Sequence, residues 1–307
     1  MNLLLLTITL VSLNAAPGTV AQSFGPAGPK DAVLTAVVDA QVLRRSPHRQ
    51  HYLQVASALP DYPRLVGQAN KEPVDVFDRL FVATSDPRKI SETVLVACID
   101  EGPQPAKDYL DLAMGQTLKW SRAGGFHTAK PAGLWWVKRE SRVLMRSGKV
   151  FAFAHPRHGK WFSRAAKSGR GAGFPPPIKG KNTLLVAQMD RIPLALGGRL
   201  PAPGSVAVVL EDGQRPRLTL NLHFDQDAQA DAFVSKWPSV QRELIQHWEL
   251  AVLGYTELVA RIKVERVDTG AALTVSAEPS EVKRLSRFLA TTIRNRTRGH
   301  HPPMKAR

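Results

Sequence analysis

The feature that most constrains the fold of this chain is an order of sequence elements that occurs twice, once on each side of a segment unfit for strand or helix. That segment, KSGRGAGFPPPIKGK at residues 167–181, holds four glycines, three prolines and four basic residues with no apolar period. This is the composition of a linker. The first half opens with VLTAVVDAQVL from Val33 and the second with LLVAQMDRIPL from Leu184, and Asp39 and Asp190 fall at the same point of each. Two apolar runs joined by a turn follow, RLFVATSDPRKISETVLVACIDEG and SVAVVLEDGQRPRLTLNLHFDQD, whose Asp, Pro and Gly suit tight connections.

Helices are predicted next, over residues 106–114 and 228–237. In the first, Ala106, Tyr109, Leu110 and Ala113 recur at i, i+3, i+4 and i+7; in the second, Ala230, Phe233, Val234 and Trp237 do the same. A second strand pair and a helix close each half. Pro156 and Pro279 suit a first helical turn, where a missing N–H costs nothing, and a Ser-Arg pair follows each of them: Ser163 with Arg164, and Ser286 with Arg287. The first half carries extra residues around 47–75, and the second adds an apolar-periodic helix over 240–252.

The fold class expected is therefore α+β: two duplicated antiparallel-sheet domains, each reading strand, strand–strand–helix, strand–strand–helix, with helices packed on one face. The expected divisions are a leader at 1–21, a first domain at 31–166, the linker at 167–181, a second domain at 182–293 and a basic, disordered tail at 294–307. In its order of elements and in the stretch VVDAQVL…P…FDRLFVATSD, the chain resembles a loose group of uncharacterised exported bacterial proteins of no known function. The resemblance covers mainly the first hundred residues after the leader and brings no activity or site residues with it.

The apolar run at residues 3–13, followed by small and turn-forming residues, reads as a secretory signal peptide cleaved after Ala21, with Thr19 and Ala21 at the small-residue positions. It is too short to span a bilayer, which takes about 20 residues. No transmembrane segment is expected in the mature chain, and the expected location is periplasmic or extracellular. The single cysteine, Cys98, excludes an intrachain disulfide and a cysteine-based metal cluster; within VLVACID it reads as a small buried hydrophobe.

Charge is distributed unevenly. Residues 117–181 hold 15 Lys and Arg against one acidic residue, and residues 294–307 hold five against none, whereas the two remaining stretches are close to balance. The middle stretch also carries nine aromatics: Trp120, Phe126, Trp135, Trp136, Phe151, Phe153, Trp161, Phe162 and Phe174. Its basic residues Lys138, Arg139, Arg142, Arg146, Lys149, Arg157, Lys160, Arg164, Lys167 and Arg170 repel one another unless solvent or a polyanion neutralises them. They are the candidate binding residues. The candidate partners are anionic envelope lipid, an acidic polysaccharide or extracellular DNA, the aromatics supplying stacking faces if exposed. Alternation such as that of Phe151 and Phe153 instead predicts that most of the aromatics are core.

No catalytic set emerges from the sequence. His155 and His158 have the spacing of two ligands on a helix, but no Asp, Glu or Cys nearby completes a metal site, and His300 with His301 lacks further ligands. Asp39 and Asp190 read as turn or capping residues before they read as an acid–base pair. No glycine-rich phosphate loop, dinucleotide fingerprint or nucleophile elbow is present, and no cofactor is implied. The reading that results is an exported, non-enzymatic protein binding polyanions through residues 117–181. Its alternatives are a protein-assembly module, which would offer sheet edges or a groove to another protein, and an enzyme whose site forms only in the fold, for example around His127, His155 or His223.

Overall fold

The computed structural model describes residues 32–58, 62–86, 92–123, 125–130, 143–168, 178, 180–190, 199–247, 251 and 253–298. The leader, most of the linker and residues 299–307 lie outside them. The strands are β1 (Leu34–Asp39), β2 (Arg79–Thr84), β3 (Thr93–Cys98), β4 (Ser121–Ala123), β5 (Phe126–Ala129), β6 (Val143–Ser147), β7 (Val150–Ala154), β8 (Thr183–Asp190), β9 (Ser205–Glu211), β10 (Arg217–His223), β11 (Lys263–Val267) and β12 (Gly270–Ser276). Every pairing is antiparallel, and together they form one 12-stranded sheet in the order β11-β12-β10-β9-β8-β1-β2-β3-β7-β6-β5-β4.

The two halves thus share one sheet, a point that the sequence leaves open. They join where β1 meets β8, with Ala36 opposite Ala187 and Val37 opposite Val186. Both opening strands carry apolar residues on both faces, and pairing them removes two edges that would otherwise present unpaired backbone groups. Outward from that join the strand order is alike on both sides, β8-β9-β10-β12-β11 and β1-β2-β3-β7-β6, with β5 and β4 added beyond β6.

Alternation along the strands assigns each core to a face. Leu144, Phe151 and Phe153 share one face with Leu80 and Ala97, and there they pack against Ala106, Tyr109, Leu110 and Ala113 of α4 (Gln104–Met114). α1 (Ala40–Arg45), α2 (Arg49–Ala56) and α3 (Tyr62–Ala69), the elements inserted between β1 and β2, precede α4 in the chain, and α3 packs on it. The same face continues across the join through Ala36 and Ala187 to a larger core. In that core α6 (Asp227–Gln246) and α7 (Thr256–Ala260) cover Val206, Val208, Leu220, Leu222 and Leu273.

The opposite face, with Val37, Phe81, Val94, Val96, Met145, Ala152 and Ala154, packs against Phe162 and Ala165 of α5 (Gly159–Ser168). Helices therefore lie on both faces of the first half, against the expectation of one. The reason is local: β6 and β7 are apolar on both sides, so each side needs a cover. On β10 and β12 the positions facing that way are Thr219, Asn221, Ala272 and Thr274, of which only Asn221 is buried and none is a large apolar residue that needs a helix over it.

Two further expectations change. The helix predicted to stop at Trp237 runs on to Gln246 through Pro238, because Val240, Leu244 and Ile245 continue the stripe of Phe233 and Trp237 on the same core. The tail expected from Arg294 begins inside α8 (Pro279–Arg298), which is held by buried Val282, Ser286 and Ala290. Glycine is required at Gly115, which ends α4 at φ 63° in the left-handed region. It is required also at Gly270, where a Cβ would meet the Leu222 carbonyl oxygen at 2.2 Å.

Candidate polyanion-binding surface

α5 follows β7 through a 3-10 turn, Pro156–His158, which the His155 ring caps by accepting from the Arg157 N–H at 3.3 Å. The helix buries Phe162 and Ala165 and turns Lys160 and Arg164 to solvent, one helical turn apart. Arg157 extends this row by three residues and is tied down by an ion pair with Glu92. Lys160 and Arg164, with Arg157 at one end, form a cationic ridge on a helix whose other side is locked into the sheet.

Arg146 and Lys149 do not join that ridge. Arg146 on β6 faces the α4 side, its guanidinium carbon 5.7 Å from the Trp120 ring centre. Lys149, in the β6–β7 turn, donates to the Asp100 carbonyl at the end of β3. Lys138, Arg139, Arg142 and Arg170 lie outside the described residues, as do Trp135, Trp136, Phe174 and the side chain of Lys167. The aromatics of the basic segment that are described belong to the cores. Phe151, Phe153 and Phe162 are buried, and Trp120, Phe126 and Trp161 pack on them from the margins. As a stacking platform for bases or sugars they are already occupied.

Other polar groups singled out in the sequence have structural partners. Asp39 caps α1, accepting from the Val42 N–H at 3.0 Å. Because β1 and β8 are antiparallel and Asp190 is hydrogen-bonded through its backbone to Val33, Asp39 and Asp190 stand at opposite ends of the pair. They are separated by six residues of strand, on the order of 20 Å. They cannot share a proton. Cys98 is buried, and burial pushes its thiol up to about 11, so it is protonated and inert at neutral pH.

Two polar clusters are visible only in the fold. At one, Ser46 and Tyr52 donate to Asp212 at 2.9 and 3.3 Å, and the buried His48 ring lies 3.1 and 3.2 Å from the carbonyls of Gly213 and Gln214. This clasp ties the α1–α2 corner to the β9–β10 turn, from one half to the other. At the second, Asp78 accepts from Arg44 at 2.6 Å, from the Asp100 backbone N–H at 2.6 Å and from Gln41 at 3.3 Å. Burial opposes its ionisation, but these donors outweigh burial and hold Asp78 below the usual carboxylate range.

A depressed folded-state value means that the stability Asp78 contributes is present above the unfolded carboxylate value of about 3.9 and is lost as pH falls through the lower folded value. Asp78→Asn should therefore lower stability at pH 7, and the gap to the parent protein should narrow below pH about 4. Urea unfolding midpoints across pH check this; a gap independent of pH would count against the cluster.

α8 carries a basic surface that spans the expected boundary between the second domain and the tail. Over Pro279–Arg298 it holds six Lys and Arg against Glu281 alone. Lys283, Arg284, Arg287 and Arg294 are exposed. The signal was available as a spacing, with Arg284, Arg287, Thr291 and Arg294 at i, i+3, i+7 and i+10, but a boundary at residue 294 cut through it.

No helix among the described residues is long and apolar enough to cross a membrane. No family model matches the chain, and no curated protein matches it. Among solved structures it is similar to one described as crystal form I of TP0453, at 11% identity and a TM-score of 0.45, over 87% of this chain and 96% of that one.

Proposed function

We propose that this is an exported, non-enzymatic protein that binds polyanions of the cell envelope or its surroundings through the basic surface of residues 117–181. The observation that carries the reading is the α5 ridge, where Lys160 and Arg164 stand exposed on a helix anchored by Phe162, within a segment of 15 basic residues against one acidic. Fixed cations of this kind bind a polyanion without first losing side-chain and backbone freedom, and they release counterions on doing so. Export rests on the leader at residues 1–21. The matching strand orders on the two sides of the β1–β8 join support descent from a duplicated unit.

The test is binding of the mature chain to heparin, duplex DNA and anionic vesicles across a salt series. It is run beside Lys160→Glu/Arg164→Glu and beside a chain ending at Arg298, which keeps α8 whole. Salt-sensitive binding that survives truncation and falls at least tenfold in the double variant is the expected result. Binding that the double variant leaves unchanged would remove α5 from the site.

The assembly reading draws on one observation, the open sheet whose outer strands among the described residues are β4 and β11. It is the weaker of the two, since β4 has three residues and β11 carries Lys263 and Glu265 on one side, a pattern that discourages added strands.

A further inference from the structure

Several arginines of the chain are held by acidic partners. Arg44, Arg49, Arg79, Arg199, Arg261 and Arg266 each pair with an Asp or Glu. Among the described residues no carboxylate pairs with Lys283, Arg284 or Arg287. The helix beneath them is rigid, with Leu285 packed into the larger core and the Phe288 ring 6.2 Å from Tyr255. Arg284 lies across Gly254, where a Cβ would come within 2.6 Å of its Nη1, so its direction is fixed by the 253–255 turn. From Arg284 to Arg294 the row extends about 15 Å at the rise of an α-helix.

We propose that this row is a second ligand site, which takes a linear anionic polysaccharide along the α8 axis. A narrow file of cations fits a single charged chain lying along it. A membrane surface would also require apolar side chains beside the charges to enter the headgroup layer. The exposed large hydrophobics among the described residues, Leu95 and Leu112, belong to β3 and α4 and not to α8. Recognition of single-stranded nucleic acid would require exposed aromatic faces, and Phe288, the one aromatic of α8, is turned against Tyr255.

The site stands on its own residues and does not depend on α5. α5 packs on one face of the sheet, and α8 is seated on the core of the other. If both ridges bind, one molecule holds two polymer strands on opposite sides.

His51 of α2 offers a local reporter. It faces His48 at its own end of α2 and Lys283 and Arg287 across on α8; burial first, then these cations, hold its ring below the usual histidine value. An anionic chain over Lys283 and Arg287 would cancel their field and raise the titration midpoint of His51.

The experiment uses the full mature chain with fluorescein-labelled heparin oligosaccharide, and with duplex DNA and phosphatidylglycerol vesicles as competing probes. Lys283→Glu/Arg284→Glu/Arg287→Glu should lose one of the two heparin sites, read as a fall in binding stoichiometry, while keeping its circular dichroism and melting temperature. Arg284→Lys/Arg287→Lys should retain most of the affinity. In the parent protein, the His51 midpoint read by NMR should rise when heparin is bound.

Heparin stoichiometry unchanged in the triple variant, a His51 midpoint unmoved by bound heparin, or stronger binding to vesicles or DNA than to heparin would each overturn the proposal. The α5 double variant, measured beside it, separates the two sites. Loss there alone defeats the α8 site and leaves the α5 reading intact; loss in the α8 variant alone does the reverse.

Discussion

Phe162→Ala is expected to destabilise the protein by about 3–5 kcal/mol, the range for removing a large aromatic from a close-packed interior. Phe162 is fully buried on α5, edge-on to Phe126 at 5.9 Å, and packed in a cluster with Met145, Ala152 and Ala154. Its neighbours on the sheet include small alanines that cannot grow into the space it leaves, so most of the cavity persists. Phe162→Leu, which retains much of the volume, should cost less than half as much. Urea unfolding gives both values; a loss below about 1 kcal/mol for the alanine variant would mean that α5 is not packed on the sheet.

The same substitution links packing to function. Lys160 and Arg164 keep their mutual spacing in any helix, but their direction relative to the sheet depends on Phe162 as an anchor. Heparin affinity should therefore fall in Phe162→Ala although no charge has changed, and its salt dependence should become shallower.

Local elements were legible in the sequence wherever one stripe or one alternation decided the matter. The stripe of Ala106, Tyr109, Leu110 and Ala113 is the buried side of α4, and Phe151 and Phe153 alternate into one core as their spacing requires. The faces of the sheet were less legible. The alternation of Phe151 and Phe153 says nothing of Ala152 and Ala154, since alanine is compatible with either side, and only α5 above them shows that they are core. The periodicity predicts one helix over 228–237 and another over 240–252, yet the apolar residues on both sides of Pro238 face the same core, and tertiary packing carries one helix through.

The join of the halves at β1 and β8 depends on contacts between residues about 150 positions apart, which no local pattern encodes. The polar clusters have the same origin. Asp212 and Ser46, or Asp78 and Arg44, become neighbours through topology, and in sequence each is an ordinary turn or helix residue. The charged ridges were half visible: α5 lay inside a segment that composition marks, whereas α8 was divided between a neutral domain and a basic tail because a boundary was drawn at the change of composition and not at the end of the helix.

The start of α8 supplies the second large effect. Glu281 is almost wholly buried, its side chain 3% exposed, and one carboxylate oxygen accepts from Arg261 at 2.5 Å and from the Glu278 backbone N–H at 2.7 Å. The second bond is the reach-back half of a capping box, and it satisfies a donor that the first helical turn would otherwise leave open. Arg261 is 38% exposed, so the two partners are not equivalent. Removing Glu281 returns to water a guanidinium that already touches it, and Glu281→Ala should cost about 1–2 kcal/mol, the value of a lost cap. Removing Arg261 strands a carboxylate that cannot reach water, and Arg261→Ala should cost about 3–5 kcal/mol. The double variant should then be more stable than Arg261→Ala alone, since deleting the stranded charge relieves the larger loss. Urea unfolding of the four proteins checks the order. Arg261→Ala milder than Glu281→Ala, or a double variant equal to the sum of the two, would mean that the helix start is held by something other than this pair.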